Sequence, residues 1–165
     1  ITMRLFLVIV ASLLLCIFPL FLIAGEYSAE DEQYKKANID KLKPYGPGFN
    51  EDQRPIWQKM MKIAVKYEDY EIIEKILLVR DEVDGVMATQ YSLDLFELYK
   101  QSPLFFIESV DKFYAGNFDN FLRIWINEAY DIVIDDIKKY STGHTENKLM
   151  KKFLLKAEEL DSQIK

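Results

Sequence analysis

The chain has one cysteine and one histidine in 165 residues. A single cysteine excludes an internal disulfide framework and any multi-cysteine zinc site, and a single histidine excludes metal centres built on several imidazoles. Glycine and proline are scarce, at 6 and 5, which argues against turn-dense all-β architectures. The glycines are scattered, so no phosphate-cradling loop is present. No serine sits in a Gly-x-Ser-x-Gly elbow, and no Glu-x-x-His pair exists for a di-iron bundle. Positive charge is also short. The formal charge of −6 and pI near 4.9 argue against a phosphate-backbone partner, so no nucleic acid is expected. No cofactor and no metal are expected either.

What the sequence does hold begins at the N-terminus. Ile1 and Thr2 precede Met3, the expected start, and Arg4 is the only charge before Glu26. From Leu5 to Gly25 no residue is charged. One basic residue followed by an apolar run, with small Ala24 and Gly25 before an acidic stretch, is the pattern of an export signal. Cleavage after Gly25 places Ile23 three residues before the cut. The run is longer than the usual apolar core of roughly 7–15 residues and close to the about 20 needed to span a bilayer. A retained membrane anchor kinked at Pro19 is therefore the alternative. In either case Arg4 stays cytoplasmic and the acidic body is translocated, as a secreted or periplasmic domain. Membrane contact is expected only through residues 5–25 if they are uncleaved. Leu13-Leu14-Leu15-Cys16 only faintly resembles a lipidation box, since Leu15 is not small. Cleavage would remove Cys16, which suits an oxidising compartment.

Three regions are expected: a signal or anchor over 3–25, a polar and Pro/Gly tether over 26–50, and an all-α domain over 51–165. Within the tether a short helix is read near Glu30–Leu42, ahead of the cluster Pro44, Gly46, Pro47 and Gly48 that halts any helix. From Asp52 onward apolar residues recur at helical spacing. Helices are predicted over about Gln53–Lys66, Asp69–Val79, Val86–Lys100, Pro103 to Ala115-Gly116, Asn117 or Asp119 to Lys139, and Thr145–Leu160. Ile72, Ile73, Ile76 and Leu77 make the cleanest stripe; Met87, Tyr91, Leu95 and Leu98 make another. Ser102-Pro103 reads as an N-cap hydroxyl beside a first-turn proline, and Thr145 as a second cap. No stretch alternates with period two, so strands are not expected. ArgProIleTrp at 54–57 resembles SerProLeuPhe at 102–105, as two helix hairpins of one design would. The expected fold is a compact helical bundle, or a short α-hairpin repeat, of about five to six helices.

Chemistry must then come from carboxylates. His144 lies between Gly143 and Thr145 with only Glu146 near in sequence, which reads as a loop histidine. Asp131 and Asp135 share a helix face, and Asp136 follows; Glu68, Asp69, Glu71 and Glu74 crowd a helix start, where acids favour the positive dipole end. Asp81, Glu82 and Asp84 form a third run. A glycosidase-type site needs two acids facing each other across a cleft, from among Asp94, Glu97, Glu128, Asp131 and Asp135. The aromatics are the stronger feature. Trp57, Tyr91, Tyr99, Tyr114, Trp125 and Tyr130 exceed what a small core requires: core packing accounts for most of them, and the partner surface is expected from among them, because Tyr offers area with a polar handle. The expected function is an exported, non-enzymatic helical interaction domain that presents an acidic, aromatic-rich surface to a protein partner. The alternatives are a small secreted carboxylate hydrolase and a membrane-anchored structural protein of the envelope.

Overall fold

The computed structural model describes residues 26–43, 53–83, 85–128 and 134–164. Among these residues every regular element is helical and no strand occurs. The α-helices are α1 (Ala29–Asn38), α2 (Arg54–Tyr67), α3 (Tyr70–Leu78), α4 (Gly85–Gln101), α5 (Pro103–Phe113), α6 (Phe118–Glu128), α7 (Ile134–Ser141) and α8 (Lys148–Ile164). Single 3-10 turns follow α1, α3 and α7. The all-α expectation holds, but eight helices replace the five to six expected.

One of the described helices, α1, lies in the stretch expected to be a tether. Ser28 caps it, its Oγ accepting from the Asp31 N–H at 3.2 Å. Glu30, Asp31 and Glu32 occupy the first turn and Lys35 and Lys36 the last, the order that the helix dipole favours. Ile39 and Leu42 just beyond it are buried in the common core, so residues 26–43 belong to the folded body. The Pro/Gly cluster at 44–50 lies outside the described residues. The stretch expected as one long helix over 117–139 is helical over Phe118–Glu128 (α6) and Ile134–Ser141 (α7); residues 129–133 between them, with Ile132 and Val133, also lie outside the described residues.

The junctions show why the helices stop where they do. Between α2 and α3, Glu68 adopts a left-handed φ of 48°, and its N–H returns to the carbonyls of Ala64 and Val65. Asp69 then caps α3, accepting from the N–H groups of Glu71 at 2.9 Å and Ile72 at 3.1 Å. Gly116, at φ 83°, performs the same reversal between α5 and α6. Each hairpin thus opens with a proline in its first helical turn and reverses through a positive-φ residue. The caps expected at Ser102 and Thr145 are not made. Ser102 forms no side-chain capping bond, and α8 is capped by Asn147, whose Oδ1 accepts from Leu149 at 2.8 Å and Met150 at 3.1 Å.

α4 and α5 form the middle of the molecule. α1, α2 and α3 pack on one side, and α6, α7 and α8 on the other, around one continuous core. The stripe Ile72, Ile73, Ile76 and Leu77 is wholly buried, as its spacing requires. Tyr91, Leu95 and Leu98 of α4 are buried too, but Met87 of the same expected face is 39% exposed.

Candidate functional site

The aromatic residues expected to meet a partner are for the most part inside the protein. Trp57, Tyr91, Tyr99 and Trp125 are each 2% exposed or less. Tyr114 is half-buried, and Tyr130 lies outside the described residues. A surface made of these rings is therefore not what the fold presents. The physical reason is that the polar atoms of Tyr91, Tyr99, Tyr114 and Trp125 find backbone carbonyls and that of Trp57 a buried carboxylate, which lets amphipathic rings serve as core. The Tyr91 hydroxyl lies 3.0 Å from the carbonyl oxygens of both Ile76 and Leu77, and the Tyr114 hydroxyl donates to Leu77 at 2.9 Å. These carbonyls belong to the last turn of α3, where the helix runs out of its own donors; the Leu77 carbonyl also accepts from the Val79 N–H. The Tyr99 hydroxyl donates to the Ile137 carbonyl at 2.8 Å and also contacts Ser141 Oγ. Burial pushes this hydroxyl up to about 12, against a smaller downward pull from Ser141. Trp125 Nε1 donates to the Ser92 carbonyl at 3.0 Å, while its ring packs 5.1 Å from Phe106 and 5.9 Å from Tyr99, centroid to centroid.

Among the acids weighed for catalysis, Asp94 occupies the most built environment. It is 5% exposed. Its Oδ2 accepts from Arg54 Nη1 and from Trp57 Nε1 at 2.7 Å, and its Oδ1 accepts from Arg54 Nη2 at 2.8 Å and Gln90 Nε2 at 3.3 Å. A carboxylate offers about four acceptor positions, and all four are taken. Asp94 therefore ties the first turn of α2 to the middle of α4. Glu97, one turn further along, is largely exposed and pairs with Lys100. Both line a depression of about 260 Å³ with Gln58, Met61, Lys62 and Gln101, in which no Trp or Tyr takes part. Asp135 is exposed; Asp131 and the side chain of Glu128 lie outside the description. His144 is half-buried in the 3-10 turn after α7. Among the described residues, no three His, Cys, Asp or Glu side chains are grouped to hold a metal ion, and no helix is long and apolar enough to cross a membrane. Residues 5–25 lie outside the described residues.

A second polar cluster was not legible in the sequence. It docks α1 on α2 and α3. The Tyr27 and Tyr67 rings stack at 4.0 Å with an interplanar angle of 15°, and the Ser28 N–H donates to the Tyr67 hydroxyl at 3.0 Å. Asp31 accepts from Lys66 Nζ and from the Tyr67 hydroxyl, each at 2.8 Å. Those bonds, Lys66 first, hold its carboxyl down at about 2. Lys35 pairs with Asp69 at 2.6 Å and Glu71 at 2.7 Å, and Tyr27 also donates to Asp69. Burial pushes Asp69 up, but the bonds from Lys35, Tyr27 and the Ile72 N–H outweigh it, so its carboxyl sits below the ordinary range. Lys59–Glu30 and Lys75–Asp40 add outer pairs at 3.1 and 3.2 Å. No residue of α1 itself is fully buried, so these polar contacts hold the helix together with Tyr27 and Tyr34, which pack partly against the core, and with Ile39 and Leu42 just beyond it.

Large apolar side chains left in water are few. Among the described residues they are Leu78 at 50%, Val86 at 83%, Met87 at 39% and Leu155 at 68%. The first three flank the turn between α3 and α4. No protein-family model matches the chain, and neither a curated protein nor a solved structure matches it.

Proposed function

We propose that this protein is an exported helical binding domain and that it meets a protein partner at the α3–α4 corner. The observation that carries this reading is the exposure of Leu78 at the end of α3 and of the adjacent Val86 and Met87 in the first turn of α4. An exposed Leu by itself is ordinary; two large apolar side chains exposed side by side in one helical turn, as Val86 and Met87 are, favour an interaction site. Met87 adds a flexible, polarizable side chain suited to fitting a partner's aliphatic groups. Asp94, with four donors on its carboxylate, has no open lone pair with which to act as a general base, which favours binding over hydrolysis at that residue. Export rests on the uncharged run Leu5–Gly25 behind Arg4.

The test is recovery of a partner from the native compartment by the full chain and by the double variant Val86→Asp/Met87→Asp. Recovery is expected to fall at least tenfold, with the circular dichroism spectrum unchanged. Equal recovery by both forms would remove the corner from consideration. Intact mass of the accumulated protein tests export separately: the expected N-terminus is at or within a few residues of Glu26.

A further inference from the structure

The remaining exposed apolar residue, Leu155, stands in the middle of α8 on the side away from the core. Met150, Phe153, Ala157 and Leu160 form the buried stripe of this helix. On the opposite side Lys148, Lys151, Lys152, Leu155, Glu158, Glu159 and Ser162 are all exposed. Their spacing is i, i+3, i+4, i+7, so they form one continuous face along the helix. The charge order on that face is one-directional: lysines before Leu155 and glutamates after it.

That order is symmetric about Leu155. Lys152 and Glu158 are each three residues from it, and Lys151 and Glu159 are each four residues from it. When two such helices lie antiparallel with their Leu155 side chains together, each position is opposed by its mirror image. Lys152 of one copy meets Glu158 of the other, and Lys151 meets Glu159, each twice. Lys148 meets Ser162. A two-fold interface requires this self-complementarity, in which residue i meets j and j meets i. We infer that the exposed face of α8 pairs with the same face of a second copy, antiparallel and centred on Leu155.

The pairs these side chains make within one chain do not oppose this. Lys151 reaches Glu146 at 3.3 Å, Glu158 reaches Lys138 at 2.8 Å, and Glu159 reaches Lys156 at 2.9 Å. Lys152 lies 4.6 Å over the Phe118 ring. The three ion pairs are exposed or partly exposed and contribute little to stability, so they exchange readily for intermolecular ones. A helix of 17 residues is about 25 Å long. One such face against its copy falls at the small end of interface sizes, under roughly 1,200 Å². The dimer is therefore weak, concentration-dependent and sensitive to salt.

Sedimentation equilibrium of the full chain, held in mild detergent to shield residues 5–25, tests the pairing. At low salt the mass is expected to double with rising concentration, and 0.5 M NaCl is expected to reverse this. Lys151→Glu/Lys152→Glu and Glu158→Lys/Glu159→Lys are each expected to be monomeric, with unchanged circular dichroism. An equimolar mixture of the two variants is expected to dimerise again, since every reversed charge then meets its complement. A wild-type chain monomeric up to about 1 mM overturns the inference. So does a dimer that survives both charge reversals, which would place the contact elsewhere, or a mixture that stays monomeric.

Discussion

The indole Nε1 of Trp57 donates to the carboxylate of Asp94 at 2.7 Å. Trp57 lies in the first turns of α2 and Asp94 halfway along α4, and both are buried. Arg54, one turn before Trp57, grips the same carboxylate through both Nη atoms. Removing the acid would leave an indole N–H without its acceptor and a guanidinium that is 27% exposed. Breaking one side of a buried pair costs about 3–5 kcal/mol, and partial solvation of the guanidinium brings the expected loss for Asp94→Ala to about 2–4 kcal/mol. Urea unfolding measures it; a loss under about 1 kcal/mol would show that the clasp does not hold α2 to α4.

Trp125→Ala is expected to cost about 3–5 kcal/mol, the range for deleting a fully buried aromatic side chain. The ring touches Phe96, Tyr99, Phe106 and Phe153, so little relaxation can fill the space. Thermal or denaturant unfolding of the variant decides it, and a near-neutral result would contradict the burial of the indole.

Glu68→Gly is expected to stabilise the protein by about 1 kcal/mol. A non-glycine residue in the left-handed region carries strain of roughly that size, and glycine removes it. Glu68 is exposed and its side chain forms no hydrogen bond or ion pair among the described residues. The midpoint of urea unfolding should rise; a fall would show that the carboxylate contributes more than the backbone strain.

Docking of α1 should hold steady from about pH 5 to 9 and fail in acid. Asp31 sits at about 2 through the bonds from Lys66 and Tyr67, and Asp69 is lowered by Lys35 and Tyr27 against its burial. A carboxyl whose folded value lies below its unfolded one, near about 3.9, stabilises fully above the unfolded value and loses that contribution as pH falls through the folded one. On the basic side Lys35, Lys66 and Tyr27 are all raised. The ammonium contribution is complete below their unfolded value of about 10.4 and disappears only as pH rises past it. Amide hydrogen exchange across residues 29–38 reads this directly. Protection is expected to be lost between about pH 4 and 2 while α4 and α5 stay protected. Loss of α1 protection near pH 6 would mean that these pairs do not hold it.

The helices were largely legible in the sequence. The stripe Ile72, Ile73, Ile76, Leu77 and the break at Ser102-Pro103 depend on neighbours within one helical turn, so spacing and proline identify them without knowledge of the fold. The reversal at Glu68 was hidden because glycine usually occupies such a position and a glutamate reads as a helix-start acid. Thr145 looked like a cap because it follows Gly143, yet the 3-10 turn through His144 carries the chain on and leaves Asn147 at the position where α8 begins.

That core packing takes most of the aromatic rings was legible; which group each ring meets was not, and neither was the part played by Asp31, Asp69 and Asp94. Tyr99 and Ile137, or Trp57 and Asp94, are tens of residues apart, and nothing in the local pattern distinguishes a tyrosine facing water from one whose hydroxyl completes a buried helix end. Composition and periodicity determined that the described body is helical, because those properties act through contacts at i+3 and i+4. Only the tertiary structure decided that Trp57, Tyr91, Tyr99 and Trp125 are core, that α1 is held by Asp31 and Asp69, and that Leu78, Val86, Met87 and Leu155 are left in water. Burial and hydrogen-bond partnership are set by which helices meet, and that depends on packing the whole chain into one continuous core.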